Sequence, residues 1–263
     1  MRRLGQHFLK NERIVKRIVD TIEVSRNDRI IEIGPGHGEL TFPLLDACTA
    51  AGAALSVIEK DDRLATSLAG KLEGVADVTP GDALEVIGEI LSRTERGPIK
   101  LTGNLPYYIT GHLLRIISEA SQKPERCVFM IQREVAERIC ARPPRMNRLA
   151  ASVQFWSDPE IVTTVPRSDF SPPPEVESAV ILLKRKNRGV MDKEGKYYRA
   201  VRAIFSQPRK TLGNNIAAEL EKGGMSKEAS TAKISLLGDG ILPTQRPQNL
   251  SVEQISRIAE ALF

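Results

Sequence analysis

The sequence predicts an α/β protein: a mostly parallel sheet covered by helices on both faces, followed by a small helical domain. Through the first two thirds of the chain, short apolar runs alternate with segments of helical period. This alternation is typical of parallel sheets flanked by helices. After Lys186 only helical periods remain. We therefore predict a first domain at 1–186 and a helical second domain at 187–263.

Seven apolar runs are the candidate strands of the sheet. They occupy residues 29–33, 54–58, 76–79, 99–102, 127–132, 150–155 and 178–183. Stretches of helical period, such as 39–48 and 62–72, lie between the first four, as expected for parallel strands joined by crossovers. Loops separate the later runs, so the last pair is predicted to form an antiparallel hairpin at one edge. The segment Phe170-Ser-Pro-Pro-Pro-Glu before the final run is a stiff, extended connection.

Helical spacing defines the second domain. Apolar residues repeat at this spacing in two successive segments: Tyr198, Val201, Phe205 and then Leu212, Ile216, Leu220. A last helix is predicted at 252–262, because Ser251 is a suitable N-cap and Gln254 follows at the third helical position.

Composition restricts the class of protein. Hydrophobic residues make up 41% of the 263 residues, enough for a real core. Three cysteines, Cys48, Cys127 and Cys140, fit no disulfide or ligand spacing, which indicates a reducing compartment and no cysteine metal site. Met1-Arg2-Arg3 leads into no apolar signal core, and no run approaches the length of a membrane span. We expect a cytoplasmic monomer without a metal or a membrane partner.

Positive charge is concentrated in one segment. Residues 184–213 contain ten Lys/Arg and two Asp/Glu, whereas the remainder of the chain has 28 Lys/Arg against 31 Asp/Glu. A basic segment on a slightly acidic body is typical of proteins that bind a phosphate backbone. The alternative is a solvated basic linker.

The segment Gly103-Asn104-Leu105-Pro106-Tyr107 lies where the fourth candidate strand should end. Two acceptors, the side-chain oxygen of Asn104 and the carbonyl of Leu105, suit the exocyclic amine of adenine, and Tyr107 can stack on the base. Hydrogen bonds to the amine would favour a pyramidal nitrogen with its lone pair free. The alternative is a proline turn with Tyr107 and Tyr108 in the core.

Glycines open the first β-α unit, in Gly34-Pro35-Gly36-His37-Gly38. Such glycines allow the backbone to approach a ligand at the end of a strand. The spacing differs from the dinucleotide pattern G-x-G-x-x-G, and Pro35 lacks an N–H that could hold a pyrophosphate, so the loop disfavours a dehydrogenase. A tight strand–helix turn is the alternative.

Two acids follow the next two candidate strands. Glu59 can accept both ribose hydroxyls of a nucleoside, and Asp82 can accept from an adenine amine. Each alone could be a solvated turn residue. Together with the glycine loop and the Asn104 segment, they predict an adenosyl pocket of the kind expected for S-adenosylmethionine.

These motifs, in this order, resemble those of the small-subunit ribosomal RNA adenine dimethyltransferases, the KsgA family. The resemblance covers nearly the whole chain. It is carried by Gly5-Gln6-His7-Phe8-Leu9, Glu32-Ile33-Gly34-Pro35-Gly36, Glu59, Gly81-Asp82-Ala83, Asn104-Leu105-Pro106-Tyr107, residues 170–178 and Gln207-Pro208-Arg209-Lys210-Thr211. It implies a Rossmann-like methyltransferase domain at 1–186 that uses S-adenosylmethionine and yields S-adenosylhomocysteine. It also implies a helical RNA-binding domain at 187–263.

The resemblance and the glycine loop together assign the site. The residues expected to bind the methyl donor are His7, Leu9, Gly34, Gly36, Glu59, Asp82 and Asn104. Those expected to act on the target adenine are Asn104, Leu105, Tyr107 and Phe170, of which Tyr107 and Phe170 match the two aromatics that enclose the base. The family often has Asn at the position of His7, so only a backbone or shared polar contact is expected there.

The predicted reaction is in-line displacement at the sulfonium methyl, with positioning as its main catalytic contribution. The implied substrate is a hairpin loop of small-subunit (16S) rRNA, within a pre-ribosomal particle, in which two adjacent adenosines become dimethylated. Six basic residues are assigned to the RNA backbone: Lys184, Arg185, Arg199, Arg202, Arg209 and Lys210. Further basic residues that could contribute are Arg2, Arg3, Lys10, Arg13, Lys16, Arg17, Lys186 and Arg188.

Three other functions are compatible with parts of this pattern. The large-subunit rRNA adenine methyltransferases of the macrolide-resistance type tend to have Ile where Leu105 stands. DNA adenine methyltransferases usually have Pro-Pro after the polar residue, which is absent here. A non-catalytic RNA-binding assembly factor could keep the fold, although the intact Glu59, Asp82, Asn104 and Tyr107 favour catalysis.

Overall fold

The computed structural model describes residues 7–93, 97–187, 194–238 and 240–263. The chain forms two compact units: Met1–Glu137 with Ser157–Lys186, and Arg138–Trp156 with Asn187–Phe263. The second unit thus contains residues 138–156 in addition to the predicted 187–263. Six residues named above lie outside the described part of the chain: Met1, Arg2, Arg3, Gly5, Gln6 and Arg188.

The strands form one large sheet and one short pair. They are β1 (Phe8–Leu9), β2 (Arg29–Ile33), β3 (Ala54–Glu59), β4 (Asp77–Pro80), β5 (Ile99–Asn104), β6 (Arg126–Gln132), β7 (Ser157–Val165), β8 (Phe170–Ser171) and β9 (Ser178–Arg185). The seven-stranded sheet has the order β4-β3-β2-β5-β6-β9-β7. Strands β2 to β6 are parallel, and β9 runs antiparallel to both β6 and β7. The short strands β1 and β8 pair antiparallel with each other.

Helices connect the parallel strands and build the second unit. They are α1 (Glu12–Ile22), α2 (Thr41–Ala51), α3 (Asp62–Lys71), α4 (Ala83–Ser92), α5 (Thr110–Glu119), α6 (Arg133–Cys140), α7 (Arg148–Trp156), α8 (Glu194–Ile204), α9 (Leu212–Lys222), α10 (Lys227–Ser235) and α11 (Val252–Leu262). On one face of the sheet, apolar residues of α1, α2 and α3 share a buried cluster with those of β2 and β3. The predicted fold class is confirmed.

The strand order places a crevice next to β2. From β2 the chain moves outward through β3 and β4, then returns to add β5 on the other side of β2. Open α/β sheets bind their ligands at such a switch point, outside the carboxyl ends of the strands. The glycine loop follows β2, and Asn104 is the last residue of β5. Both predicted motifs therefore flank the crevice.

The prediction of a strand at 150–155 is wrong, because these residues lie in helix α7. The run is almost wholly buried, so its apolar pattern does not distinguish a strand from a buried helix. The side chain of Asn147 accepts a hydrogen bond from the Ala150 amide at 3.0 Å and caps the helix. The edge strand is instead β7, which contains β-branched residues and was missed. The antiparallel edge itself is confirmed, with β7 as the partner of β9.

The second unit is helical in its described residues, as predicted. Tyr198, Val201 and Phe205 are buried in its core, which also contains the apolar residues of α9 and α11. The phenol of Tyr197 donates a hydrogen bond to the Ala151 carbonyl at 2.9 Å and so ties α8 to α7. Ser251 and Gln254 form the predicted capping box of α11.

None of the helices in the described part of the chain is long and apolar enough to cross a membrane. In the same residues, His, Cys, Asp and Glu side chains form no group of three or more that could hold a metal ion.

Candidate active site

A cleft opens at the carboxyl ends of β2, β3 and β5 and encloses about 800 Å³, its solvent-open mouth included. This is a size typical of small-molecule sites. The lining residues are His7, Phe8, Leu9, Ile18, Glu32, Gly34, Pro35, Gly36, Glu39, Leu40, Glu59, Asn104, Leu105, Pro106, Tyr107 and Met130. The structure thus brings together all the predicted donor-binding residues except Asp82, which lines an adjoining pocket.

The side chain of Asn104 is held in place by the N-terminal segment of the chain. Its Nδ2 atom donates a hydrogen bond to the His7 carbonyl at 2.7 Å, and the next amide, of Leu105, donates to the Met130 carbonyl at 3.0 Å. Within the described residues, the Asn104 Oδ1 atom and the Leu105 carbonyl accept no hydrogen bond. Two acceptors at the wall of the cleft are therefore left for a ligand.

Tyr107 is half-buried beside these acceptors. Its hydroxyl is hydrogen-bonded to the Ser178 Oγ atom at 2.9 Å, and its ring centroid is 6.2 Å from that of His7 with an interplanar angle of 26°. The hydroxyl bond fixes the ring at the edge of the cleft. The alternative of two core tyrosines does not fit Tyr108, which is 64% exposed.

Phe170 lies in a different environment from the one expected. It is 2% exposed, belongs to the core cluster of Leu9, and does not line the cleft. Residues 7–11, named here the N-terminal strap, run along its segment. Besides the β1–β8 pairing, the Lys10 amide donates to the Asp169 carbonyl at 2.8 Å, and the Asn11 side chain donates to the Asp169 carboxylate at 2.8 Å. A base can stack on Phe170 only after the ring is uncovered.

The glycine loop is shaped by close packing and by a buried acid. Gly36 has a φ of +62°, and a Cβ there would lie 2.9 Å from the Phe8 ring, so only glycine fits. Its amide donates to Glu59 Oε2 at 3.2 Å, while the Asp61 amide donates to Oε1 at 2.9 Å. Each Glu59 oxygen keeps one further lone pair for a hydroxyl group.

Asp82 lies in the adjoining pocket, whose apolar walls include Ile58 and Ile109. Its Oδ1 atom caps α4 by accepting from the Leu84 amide at 2.9 Å, and its Oδ2 atom accepts from Lys60 Nζ at 2.7 Å. The hydrogen bond from Lys60 holds the pKa of Asp82 below its ordinary value. Lys60 was missed by the sequence analysis, although it directly follows Glu59.

The cleft is acidic. Its described lining includes the carboxyl groups of Glu32, Glu39 and Glu59 but neither Lys nor Arg. Glu32 is 1% exposed, and burial raises its pKa to about 8, with the charges of Glu39 and Glu59 acting in the same direction. The nearby Thr41 hydroxyl acts in the opposite direction and lowers the pKa of Glu32. It does not form a hydrogen bond of good geometry with the Glu32 carboxyl group. Such a cleft suits a cation rather than a phosphate.

Glu32 should make stability depend on pH. Because its pKa rises from 4.5 to about 8 on folding, unfolding releases a proton between these values and stability falls as pH rises through this window. We expect Glu32→Gln to remove the loss, so that the variant exceeds the wild type by roughly 2–4 kcal/mol at pH 8 and by little at pH 5. Denaturant unfolding at both values measures this. The exposed Glu73→Gln is the control, and a pH-independent gap would contradict the assignment.

Some of the predicted RNA-binding residues lie in the first unit and the others lie in the second. Lys184 and Arg185 are exposed at the end of β9, where Lys184 pairs with Arg126 at the start of β6. Since a strand rises about 3.3 Å per residue, they lie about 20 Å from Ser178, at the edge of the sheet opposite the cleft. In the second unit, Arg202, Arg209 and Lys210 are exposed. Arg199 there lies 3.8 Å from Glu219 and contacts the Phe263 ring.

This fold, with its glycine-lined acidic cleft at the switch point, is that of the S-adenosylmethionine-dependent methyltransferases. Comparison with known proteins identifies the family within this class. The chain belongs to the ribosomal RNA adenine dimethylase family, which it matches over residues 1–262. The resemblance inferred from the motifs is therefore confirmed.

Known relatives are similar to this chain over nearly all of its length. The chain is 36% identical to "Ribosomal RNA small subunit methyltransferase A" of Dehalococcoides mccartyi strain CBDB1, over 97% of this chain and 86% of that protein. It is 32% identical to the protein of that name from Listeria monocytogenes, over 98% and 89%. Among solved structures, a dimethyladenosine transferase from Plasmodium falciparum gives a TM-score of 0.79 at 24% identity, covering 96% of each chain. The 23S rRNA methyltransferase ErmE gives 0.70 at 26%, covering 97% and 99%.

Proposed function

We propose that this chain transfers methyl groups from S-adenosylmethionine to the exocyclic N6 of adenosines in small-subunit rRNA, making dimethyladenosine at two adjacent positions. It acts in the cytoplasm as a monomer on a pre-ribosomal particle. The observation that carries the proposal is the Asn104 carboxamide, anchored through its nitrogen with its oxygen left as an acceptor at the wall of the cleft. The names of the relatives support the small subunit as the substrate.

The residues of the cleft fit this methyl donor. An adenosyl group needs acceptors for its amine and hydroxyls, which Asp82 and Glu59 supply, and apolar walls for its base, which the Asp82 pocket has. The methionine half carries a sulfonium and an ammonium charge, and the described lining of the cleft offers three carboxyl groups without Lys or Arg. When bound, the donor supplies an electrophilic methyl group.

The chain then has to present the amine nitrogen in line with that methyl group. Asn104 Oδ1 and the Leu105 carbonyl accept the two amine hydrogens, which polarises the nitrogen and fixes its direction. Tyr107 stacks on the base. Holding reactants in an attack geometry is a large part of catalysis. The attacking nitrogen becomes transiently cationic and strongly acidic once it carries the new methyl group, so its proton is lost without a dedicated strong base.

The target adenosine must leave its stack to reach the cleft, which costs roughly a few kcal/mol and less in a loop. Stacking on an aromatic ring returns about 1–3 kcal/mol per base. Tyr107 is accessible for this contact. We propose that Phe170 joins it after the N-terminal strap moves, because the strap pairs with β8 and the ring is otherwise buried.

Incubation with labelled S-adenosylmethionine and unmethylated ribosomal subunits, followed by nucleoside analysis, tests the proposal. We expect label in N6,N6-dimethyladenosine from the small-subunit RNA. Label in large-subunit RNA instead would favour a second candidate, the large-subunit adenine methyltransferases, whose member ErmE has a similar structure. Tight RNA binding without any transfer would favour an assembly factor.

We propose that the basic residues of the second unit bind the RNA backbone. Neutralising Arg199, Arg202, Arg209 and Lys210 together by Gln should weaken binding and reduce the slope of log affinity against log salt by roughly 3, because each lost phosphate contact removes about 0.7–0.9. Filter binding at several salt concentrations measures both. The control carries the same charge change on exposed residues of the same unit: Lys222, Lys227, Lys233 and Arg246. Equal slopes for the two variants would contradict this role.

Two of the predicted RNA-binding residues lie at the end of β9, far from the cleft. Lys184 and Arg185 lie at the opposite edge of the sheet, so they cannot hold the nucleotides next to a base in the cleft. Any contact they make belongs to a more distant part of the RNA. Lys10 in the strap and Arg13 at the start of α1 are both exposed, which makes them the better candidates within the first unit.

A further inference from the structure

Tyr108 is an exposed aromatic residue in the wall of the pocket that contains Asp82. It is 64% exposed, although burying an aromatic ring is strongly favourable. A single exposed apolar side chain is ordinary on a protein surface. What distinguishes Tyr108 is its position, because it lines a pocket of about 460 Å³, solvent-open mouth included, that also contains a carboxylate. The ring is therefore available to a ligand in that pocket.

A tight turn directs two successive tyrosines into two different pockets. Tyr107 and Tyr108 lie between β5 and α5, in a turn that the Ile109 amide closes by donating to the Pro106 carbonyl at 3.1 Å. Tyr107 lines the cleft, whereas Tyr108 lines the Asp82 pocket. Within the described residues the Tyr108 hydroxyl forms no hydrogen bond, so no such bond holds its ring in one orientation.

The other walls of this pocket fit a planar base with an exocyclic amine. Ile58 and Ile109 supply apolar surface, and both are buried. Each carboxylate oxygen of Asp82 accepts one hydrogen bond from the protein, and each keeps a further lone pair for an amine hydrogen. The pocket thus offers an acceptor for the amine, apolar surface for the ring and, at Tyr108, an aromatic face.

This inference rests on the proposed function, which supplies the ligand. The adenine of S-adenosylmethionine is a planar base with an exocyclic amine, and Asp82 is expected to accept from that amine. Aromatic side chains bind bases by stacking on them, because every base has a π-face.

We propose that Tyr108 stacks on the adenine of the methyl donor and covers it from solvent. Asp82 then accepts from the amine of that adenine, and the Tyr108 ring closes the pocket at its exposed rim. Two successive tyrosines bind two different adenines: Tyr107 binds that of the RNA, and Tyr108 binds that of the donor.

Titration calorimetry with two ligands tests the stacking. S-adenosylhomocysteine and 5′-methylthioadenosine share the adenosyl group, and only the first has an amino acid half. Tyr108→Ala should weaken the binding of both by about tenfold and by the same factor, a loss typical of removing one aromatic ring from a base. Tyr108→Phe keeps the ring and should bind both ligands as the wild type does. Val75→Ala is the control, because Val75 is 58% exposed in the first unit and does not line the pocket.

A fluorescent variant reports the contact directly. Tyr108→Trp keeps an aromatic ring at the rim of the pocket, and stacking on adenine should quench its fluorescence. The chain's own tryptophan, Trp156, is 3% exposed in the second unit, so the wild type gives the background signal. We expect a decrease in Tyr108→Trp that saturates with the calorimetric affinity for S-adenosylhomocysteine, and a much smaller change in the wild type. These readouts do not depend on methyl transfer.

The outcomes are distinct. If Tyr108→Ala binds both ligands as tightly as the wild type, the assignment of Tyr108 fails and the proposed function stands. A loss confined to S-adenosylhomocysteine would place the ring at the amino acid half, and an unquenched Tyr108→Trp would exclude stacking; either result overturns the assignment. If Tyr108→Ala weakens only RNA binding in a filter assay, the exposed ring contacts RNA instead. If the wild type binds neither ligand, the proposed function itself fails.

Discussion

Replacing Asn104 with Ala should lower methyl transfer by about 10²–10³-fold, the loss typical for one preorganised group that stabilises a transition state. The variant loses Oδ1, one of the two acceptors that hold the target amine, and also the Nδ2 donor that ties β5 to the His7 carbonyl at 2.7 Å. RNA affinity should stay near that of the wild type, because phosphate contacts supply most of it. Single-turnover transfer and filter binding measure the two quantities separately.

Asn104→Asp distinguishes the two roles of the carboxamide. It keeps an acceptor oxygen for the amine but replaces the donor to the His7 carbonyl with an oxygen, which repels that carbonyl. If polarising the amine is what matters, Asn104→Asp should retain clearly more activity than Asn104→Ala. If the tie to the N-terminal strap dominates, both variants should be equally slow. Wild-type turnover by Asn104→Ala would remove Asn104 from the mechanism.

The parallel part of the fold was predictable because its information is local. Each of the strands β2, β3 and β5 is a short apolar run followed by a residue type that suits a strand end. The carboxyl ends of parallel strands lie at one edge of the sheet. Identifying the strands therefore also predicted that Gly34, Glu59 and Asn104 lie close together. The same reasoning fails for 150–155, where a fully buried helix has no polar face to show its period.

What the sequence could not show is how neighbouring chain segments satisfy or isolate a polar group. Asp82 follows a strand, as predicted, but its ion pair with Lys60 depends on the spacing of β3 and β4. Glu32 appears in the quoted motif without a role, because its burial and its missing partner arise only when the helices close over the sheet. The burial of Phe170 likewise depends on pairing with Leu9 of β1, which is 161 residues away in sequence.

Gly103→Ala should strongly destabilise the two strands that lie beside the cleft. Gly103 precedes Asn104 in β5, and a Cβ there would lie 2.2 Å from the Ile33 carbonyl oxygen at the end of β2. Neither atom belongs to a flexible side chain, so β2 and β5 must separate just where the glycine loop and the Asn104 segment begin. We expect a loss of roughly 2–4 kcal/mol in stability and loss of S-adenosylhomocysteine binding.

Gly111→Ala is the matched control for this variant. Gly111 is exposed in α5, and a Cβ there would meet nothing within 4 Å. Alanine in a helix is favoured over glycine by about 0.5–1 kcal/mol, so this variant should be slightly more stable than the wild type and bind normally. Denaturant unfolding and calorimetry provide the comparison. If Gly103→Ala unfolds like Gly111→Ala and keeps its affinity, then the close approach of β2 and β5 is not what builds the cleft.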